Sequence, residues 1–299
     1  MINNLLIIGC GLIGSSILRA CSKKKVVKNI FVKEKSKLNI KKLKRLKNKF
    51  TIVNDLEQII PKMDLVIICT HMSEYEKIIS SISKYLNAKT ILTDVASSKE
   101  KIIKISNKKL KKGISWISSH PISGSEVSGP EHGSENLFNN KWCILIKEKK
   151  TNIKNLKMLS KFWKRLGSKI VIMDAKKHDL IFSLTSHLPH LIAYNLIKTA
   201  TDFEKRRKYN LINFSAGGLR DFSRIAASNE IMWRDIFFSN NNNLSRVIDL
   251  FISNLKSFKK DILKNNNKVV LRKLKDAKKV RKKIIKIKQD INKPDFGRN

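Results

Sequence analysis

Apolar residues fall along the first half of this chain in short consecutive runs, each followed by a stretch with helical spacing. Leu5-Leu6-Ile7-Ile8 and Leu65-Val66-Ile67-Ile68 are apolar at every position, as in a strand covered by helices on both faces. Such runs predict strands at Leu5–Gly9, Asn29–Lys33, Thr51–Val53, Asp64–Thr70, Thr90–Val95 and Ser115–Ser119. Two more, Lys141–Ile146 and Lys169–Met173, are expected to extend the same sheet. Strands alternating with helices imply an α/β fold with a doubly wound parallel sheet. From about Asp174 the strand pattern stops. Helical spacing follows in His178–Ala200, Phe203–Asn213, Met232–Phe238, Asn243–Lys264 and Val269–Gln289, and the polar tract Asn240-Asn241-Asn242-Asn243 reads as a turn between two of them. The expected organisation is a sheet domain over residues 1–173 and an all-helical domain over residues 174–299.

The first strand runs into Gly9-Cys10-Gly11-Leu12-Ile13-Gly14, and Glu34 lies 20 positions past the last glycine. Gly9 permits a tight turn, Gly11 lets backbone approach a phosphate, and Gly14 lets the next helix, Leu12 to about Ser22, pack close to the strand. The helix start offers N–H groups, those of Leu12 and Ile13 included, and a positive dipole end to a pyrophosphate. This is a Rossmann-type dinucleotide site. Glu34 is suited to accept from ribose hydroxyls and to repel a 2′-phosphate, so NAD is expected in preference to NADP, although Lys33 and Lys35 beside it pull the other way. Ligands in such sheets sit beyond the carboxyl ends of the strands. The loops after Gly9, Cys69, Asp94 and Ser119 should therefore line one crevice, with Thr70 at the cofactor.

Composition changes this picture little. The formal charge is +39, carried by 51 lysines and 12 arginines spread along all 299 residues together with abundant Ile and Asn. That spread reads as a compositional drift, not as a built patch. It attracts anions at long range, but no nucleic-acid module or aromatic interleaving accompanies it, so no specific nucleic-acid partner is expected. Cys10, Cys21, Cys69 and Cys143 lack CxxC spacing and read as reduced, small apolar fillers in a cytoplasmic protein. No signal peptide is expected before the first strand, nor a run approaching the length of a membrane span. The stretch Leu271–Lys288 is strongly basic with an apolar stripe at Leu271, Leu274, Val280, Ile284 and Ile287, expected to cover the helical domain with one face exposed.

Polar residues concentrate in three further segments: Thr93–Lys99, His120–Pro130, and Thr185–His190 with its downstream counterparts Gly217–Arg224 and Met232–Asp235. The histidines His187 and His190 stand three apart, but Pro189 between them and the lack of an HExxH context argue against a metal. The glycine turn, DVASSK at 94–99, HPISGSEVSGP at 120–130, the pair His178-Asp179, SHLPH at 186–190 and GGLRDFSRIAASNEIMWRD at 217–235 together resemble the prephenate and arogenate dehydrogenases of tyrosine biosynthesis. The resemblance is collinear from Leu5 to about Asn240. It departs from the family pattern at His71, where a proline is common, and at Ala96, where a glycine is.

That resemblance implies transfer of a hydride from a cyclohexadienyl ring to NAD, with loss of the ring carboxylate as carbon dioxide. Prephenate would give 4-hydroxyphenylpyruvate; arogenate would give tyrosine. His120 is implied as the acceptor of the ring hydroxyl proton, a role suited to a neutral imidazole, with Ser97 beside it. Lys99 either orients this loop or is a solvated charge. Arg224 is implied as anchor of the ring carboxylate through its guanidinium fork. His190 and Trp233 are assigned to the side-chain end and wall of the pocket, with Ser125, Glu126 and Gly217 lining it. A homodimer formed through the helical domains is implied as well. The rival readings are an arogenate-preferring enzyme, a 3-hydroxyacid dehydrogenase using a lysine of its helical domain, and a basic nucleic-acid-binding protein on an inactive Rossmann scaffold.

Overall fold

The computed structural model describes residues 2–208 and 210–287. Six strands form one parallel sheet: β1 (Asn4–Ile8), β2 (Asn29–Lys33), β3 (Thr51–Ile52), β4 (Leu65–Ile68), β5 (Ile91–Asp94) and β6 (Ser115–Trp116). Their order is β3-β2-β1-β4-β5-β6, the doubly wound arrangement whose order reverses between β1 and β4. Helices α1 (Leu12–Lys23), α2 (Lys37–Lys44), α3 (Leu56–Ile59), α4 (Tyr75–Ile82) and α5 (Glu100–Lys109) make the crossovers. Burial explains the unbroken apolar strands. Leu5, Ile7, Leu65 and Ile67 join a core with Ile17, Leu18 and Trp163 on one face, whereas Leu6, Ile8, Val66 and Ile68 join Tyr75, Ile79 and Ile102 on the other.

The last strands differ from the sequence expectation. Lys141–Ile146 and Lys169–Met173 do not extend the parallel sheet; they form a second, three-stranded one, β7 (Ser119–Pro121), β8 (Trp142–Ile146) and β9 (Lys169–Met173). The single run Ser115–Ser119 is split because the backbone changes partner: Ile117 N–H still donates to Leu92, but Ser118 C=O accepts from Ile146 N–H. From there β7 pairs antiparallel with β8, with His120 opposite Ile144. Between β8 and β9 runs α6 (Ile153–Leu166), capped by Asn152 and ended by Gly167 at φ +109°, a left-handed position that favours glycine.

The remaining chain is helical: α7 (Ala175–Phe182), α8 (Leu188–Arg207), α9 (Gly217–Ala226), α10 (Glu230–Ser239), α11 (Asn241–Leu263) and α12 (Asn267–Lys286). One π-helical turn, Ser183–His187, joins α7 to α8. The joined run Ala175–Arg207 is long and apolar enough to cross a bilayer by length and composition. Buried His178, Asp179 and His187 sit on its inner side within a polar network, which marks it as the central helix of this region. The stretch Phe203–Asn213 is not a helix of its own: α8 continues to Arg207, and Lys208 at φ +55° stops it. Asn240 hydrogen-bonds across the α10–α11 joint, and the rest of the asparagine tract is already in α11. Helix α12 packs on α11 through Lys273, which pairs with Asp261. Its stripe residues Leu271, Leu274, Val280, Ile284 and Ile287 stay exposed. Of the expected Val269–Gln289 helix, Lys288 and Gln289 lie outside the described residues.

Candidate active site

A cavity of about 1760 Å³ opens beyond the carboxyl ends of β1, β4 and β5 and runs to the helical region. At one end lies the glycine turn. Gly9 has φ +85°, and a Cβ there would stand 2.6 Å from the Thr70 side chain. A Cβ on Gly14 would stand 2.3 Å from the Gly9 carbonyl oxygen, whereas one on Gly11 would meet nothing within 4 Å. Gly14 thus closes the helix onto the strand and Gly11 faces open space. Gly9, Gly11, Leu12, Ile13, Glu34 and Thr70 line the cavity; Gly14 supports it from behind. Helix α1 starts with no side-chain cap and no acidic residue in its first turn, so its N-terminal donors suit an anion.

Glu34 is tied into the turn. Its Oε2 accepts from Cys10 N–H at 2.8 Å, and its Oε1 from the N–H groups of Lys35 and Ser36, both at 2.9 Å. The flanking lysines line the cavity as well, with Lys33 Nζ on the Asn54 carbonyl and Lys35 Nζ beside Glu74. These residues fit the adenosine and pyrophosphate of a nicotinamide dinucleotide.

At the other end His120, Ser97, Ser125, Glu126, His190, Arg224 and Trp233 line the same cavity. His120 is 8% exposed, mounted on β7 and flanked by Phe182 with ring centroids 4.9 Å apart. Burial, then the neighbouring His178, Lys99 and His187, hold its pKa well below the ordinary imidazole value, which keeps it a neutral acceptor. The His190 ring stacks on Trp233 at 3.7 Å, and its Nδ1 lies 2.9 Å from the Ser186 carbonyl. Arg224 reaches within 3.8 Å of Glu126. Arg224 Nε, Trp233 Nε1 and Ser123 Oγ are buried without a hydrogen-bond partner, and all three residues line the cavity. Buried donors of this kind are costly unless something pairs with them, and these three are available to a polar ligand in the cavity.

Gly217 is not in this wall. It opens α9, and the helix meets the cavity through Arg224 and Ile225, seven residues and about 10 Å further along the axis. Lys99 is not solvated either. Lys99 and Asp94 are both 0% exposed, with Nζ 2.6 Å from Asp94 Oδ2 and 2.7 Å from the Ser119 carbonyl oxygen. Burial lowers the lysine pKa, opposed by the Asp94 charge. The pair fastens the end of β5 to the residue before His120.

Sequence reading gave His178 and Asp179 no role beyond the motif. The two form a chain with His120: His120 Nδ1 to His178 Nε2 at 2.8 Å, and His178 Nδ1 to Asp179 Oδ1 at 2.8 Å. Asp179 Oδ1 also accepts from Lys99 N–H at 2.8 Å and Oδ2 from Glu100 N–H at 2.9 Å, at the start of α5. His187 Nδ1 meets Asn240 Nδ2, which also donates to the Asp179 backbone carbonyl, whereas His190 stands apart on the Ser186 carbonyl. Contacts between the sheet and the helices close the site: Asp235 accepts from Ser73 N–H, and Ser98 meets Ser239.

Residues 17–172 match the family described as prephenate dehydrogenase, nucleotide-binding domain, and residues 174–276 match prephenate dehydrogenase, dimerization domain. The chain is 32% identical over 275 residues to cyclohexadienyl dehydrogenase of Zymomonas mobilis, covering 92% of this chain and 94% of that one. It is 29% identical to prephenate dehydrogenase of Lactococcus lactis, over 93% of this chain and 76% of the relative. The solved structure of Aquifex aeolicus prephenate dehydrogenase, in complex with hydroxyphenyl propionate and NAD+, superposes with a TM-score of 0.87 at 29% identity, over 95% of this chain and 99% of that one. Glycine turn, buried imidazole and guanidinium thus share one cavity in a chain that belongs to the prephenate dehydrogenase family.

Proposed function

We propose that this chain is an NAD-dependent prephenate dehydrogenase, converting prephenate to 4-hydroxyphenylpyruvate and carbon dioxide. One observation carries the reading: His120, neutral by burial, shares a continuous cavity with the uncapped helix start at Gly11 and with Arg224. The nicotinamide supplies the acceptor for the electron pair of the ring C–H bond. His120 takes the hydroxyl proton, with Ser97 in the same wall. Arg224 anchors the carboxylate that leaves, a positioning role, since gripping it in the ground state does not itself speed its departure. His190 and Trp233 bind the other carboxyl-bearing arm. Glu34, placed to accept from ribose hydroxyls and to repel a 2′-phosphate, supports NAD over NADP, although Lys33 and Lys35 line the same cavity.

Glu126 supports a second reading. Its carboxylate beside Arg224 can accept from an amine, which favours arogenate as an alternative substrate. We also infer a homodimer through the helical region, where Leu184, Phe203, Leu250 and Leu255 are exposed apolar side chains, and a cytoplasmic location, where the four unpaired cysteines stay reduced. Division of the chain near residue 173 into cofactor-binding and helical domains belongs to the same reading. The test follows absorbance of the reduced nicotinamide with prephenate and then arogenate, each with NAD and with NADP. Turnover of prephenate with NAD is expected; turnover of arogenate alone moves the reading to the second substrate, and turnover of neither refutes it.

A further inference from the structure

We propose that His178 and Asp179 are positioning residues for the base: they hold His120 as the tautomer protonated on Nδ1, so that an unprotonated Nε2 meets the substrate hydroxyl. The proposal rests on the reading of His120 as proton acceptor. Both oxygens of Asp179 already accept backbone N–H groups at the start of α5, so this carboxylate faces His178 as an acceptor. His178 Nδ1 must then donate. A neutral imidazole carries one N–H, which leaves His178 Nε2 as an acceptor. At 2.8 Å from it, His120 Nδ1 must be the donor. The lone pair of His120 is therefore on Nε2, its ring nitrogen outside the chain of contacts, and His120 lines the cavity. Without a partner at Nδ1 nothing would select that tautomer, and the nitrogen a neighbour engages decides which one carries the proton.

The proton accounting gives the chain a second task. With a dinucleotide bound to accept the C–H electron pair, His120 Nε2 would take the hydroxyl proton. The C–C pair of the departing carboxylate then enters the ring, carbon dioxide leaves, and the new phenolate oxygen takes the proton back from Nε2. Substrate alcohol and product phenol carry the same number of protons, so His120 can return within one turnover the proton it took, with no net release. While it holds the proton, its Nδ1–H points down a chain ending on Asp179, which offsets the charge. The ionisable groups facing His120 are His178 and His187 from the long central helix and Lys99 from the start of α5; His178 also faces Asp179 and Asp94.

Two measurements test this. In full-length enzyme labelled with 15N-histidine and free of ligands, the His120 signals, assigned by their loss in His120→Asn, should show a proton on Nδ1 and none on Nε2. A proton on Nε2 overturns the proposal, and this readout stands whether or not the chain turns over prephenate. In steady-state assays His178→Leu should lower kcat about a hundredfold or more, as loss of tautomer control does for other imidazole bases, with little change in KM. His178→Gln, whose side-chain oxygen can accept from Nδ1–H, should recover at least about tenfold of that loss. Asp179→Asn should move the acid limb of the kcat profile to lower pH, because the imidazolium loses its countercharge. Equal losses in the Leu and Gln variants, or an effect confined to KM, count against the chain; failure of the wild type on every cyclohexadienyl substrate counts against the functional reading instead.

Discussion

Replacing Lys99 by Met should unfold this protein far more readily than loss of a surface lysine would. Lys99 and Asp94 are both 0% exposed, and Nζ also serves the Ser119 carbonyl oxygen. The substitution keeps most of the side-chain volume but removes the cation. Asp94 Oδ2 then retains only Ala96 N–H at 3.0 Å, and Oδ1 already has no partner. Breaking a buried pair by removing one member costs about 3–5 kcal/mol, because a buried charge is left uncompensated. With a urea slope of about 3 kcal/mol/M, appropriate to a chain larger than a small domain, the midpoint should fall by about 1–2 M. The assay is urea unfolding followed by far-UV circular dichroism at one fixed protomer concentration, since association shifts apparent stability. Lys99→Met combined with Asp94→Asn keeps an acceptor for Ala96 while removing the orphaned charge, and should regain more than half of the loss as a coupling term. A single variant within about 1 kcal/mol of the wild type, the range of exposed pairs, would refute the argument. So would a double variant no more stable than the single one.

The other expectations concern chemistry and pH. His120→Asn should lower kcat by about 10²–10⁴, the usual contribution of a general base, with substrate affinity largely kept; near-normal turnover would end its assignment. Arg224→Ala should raise KM by about ten- to a hundredfold, as expected for loss of a hydrogen bond to a charged group, and an unchanged KM would exclude it as the anchor. Stability should fall as pH drops below 6.5, because burial lowers the pKa of His187 to about 4 and also lowers those of His120 and His178. In that window the unfolded chain binds protons that the folded one does not. For His187 alone the difference amounts to about 3 kcal/mol once pH 4 is reached. A urea midpoint that holds constant or rises between pH 7 and 5 would contradict it, and His187→Gln should flatten the slope.

Much of the fold was legible because local patterns determine it. The short apolar runs at Leu5–Ile8 and Leu65–Ile68 suit strands buried on two faces, and the glycine spacing announces its turn. The change of partner between Trp116 and Ser119 was not legible, since which strand a backbone pairs with is decided by distant residues, here Leu145 and Ile146. Helix α9 was missed because Gly217-Gly218 has weak helical propensity, although the residues after it are strongly amphipathic. In the site, the motif identified His120, Arg224, His190 and Trp233 as candidates that the fold brings into one cavity. Gly217 shares that motif but is separated from the cavity by the length of its helix. Lys99 could be read from sequence either as an orienter of its loop or as one more solvated lysine among 51; only tertiary packing reveals the aspartate beneath it. His178 lies 58 residues from His120, a separation that spacing rules cannot bridge.

Mounting His120, the proposed base, on β7 has a consequence for how enzymes built this way can diversify. His120 is locked in register between Ser119 and Pro121 on a strand that pairs with β8, so its position is inherited from the scaffold. Ile122 still donates to Trp142 of β8, but residues 123–129, which follow it and supply much of the pocket wall, lie outside any strand. Drift in the loop can reshape what is admitted while the proton acceptor stays in register. On the proposed roles, substrate preference and proton transfer sit on separately mutable parts.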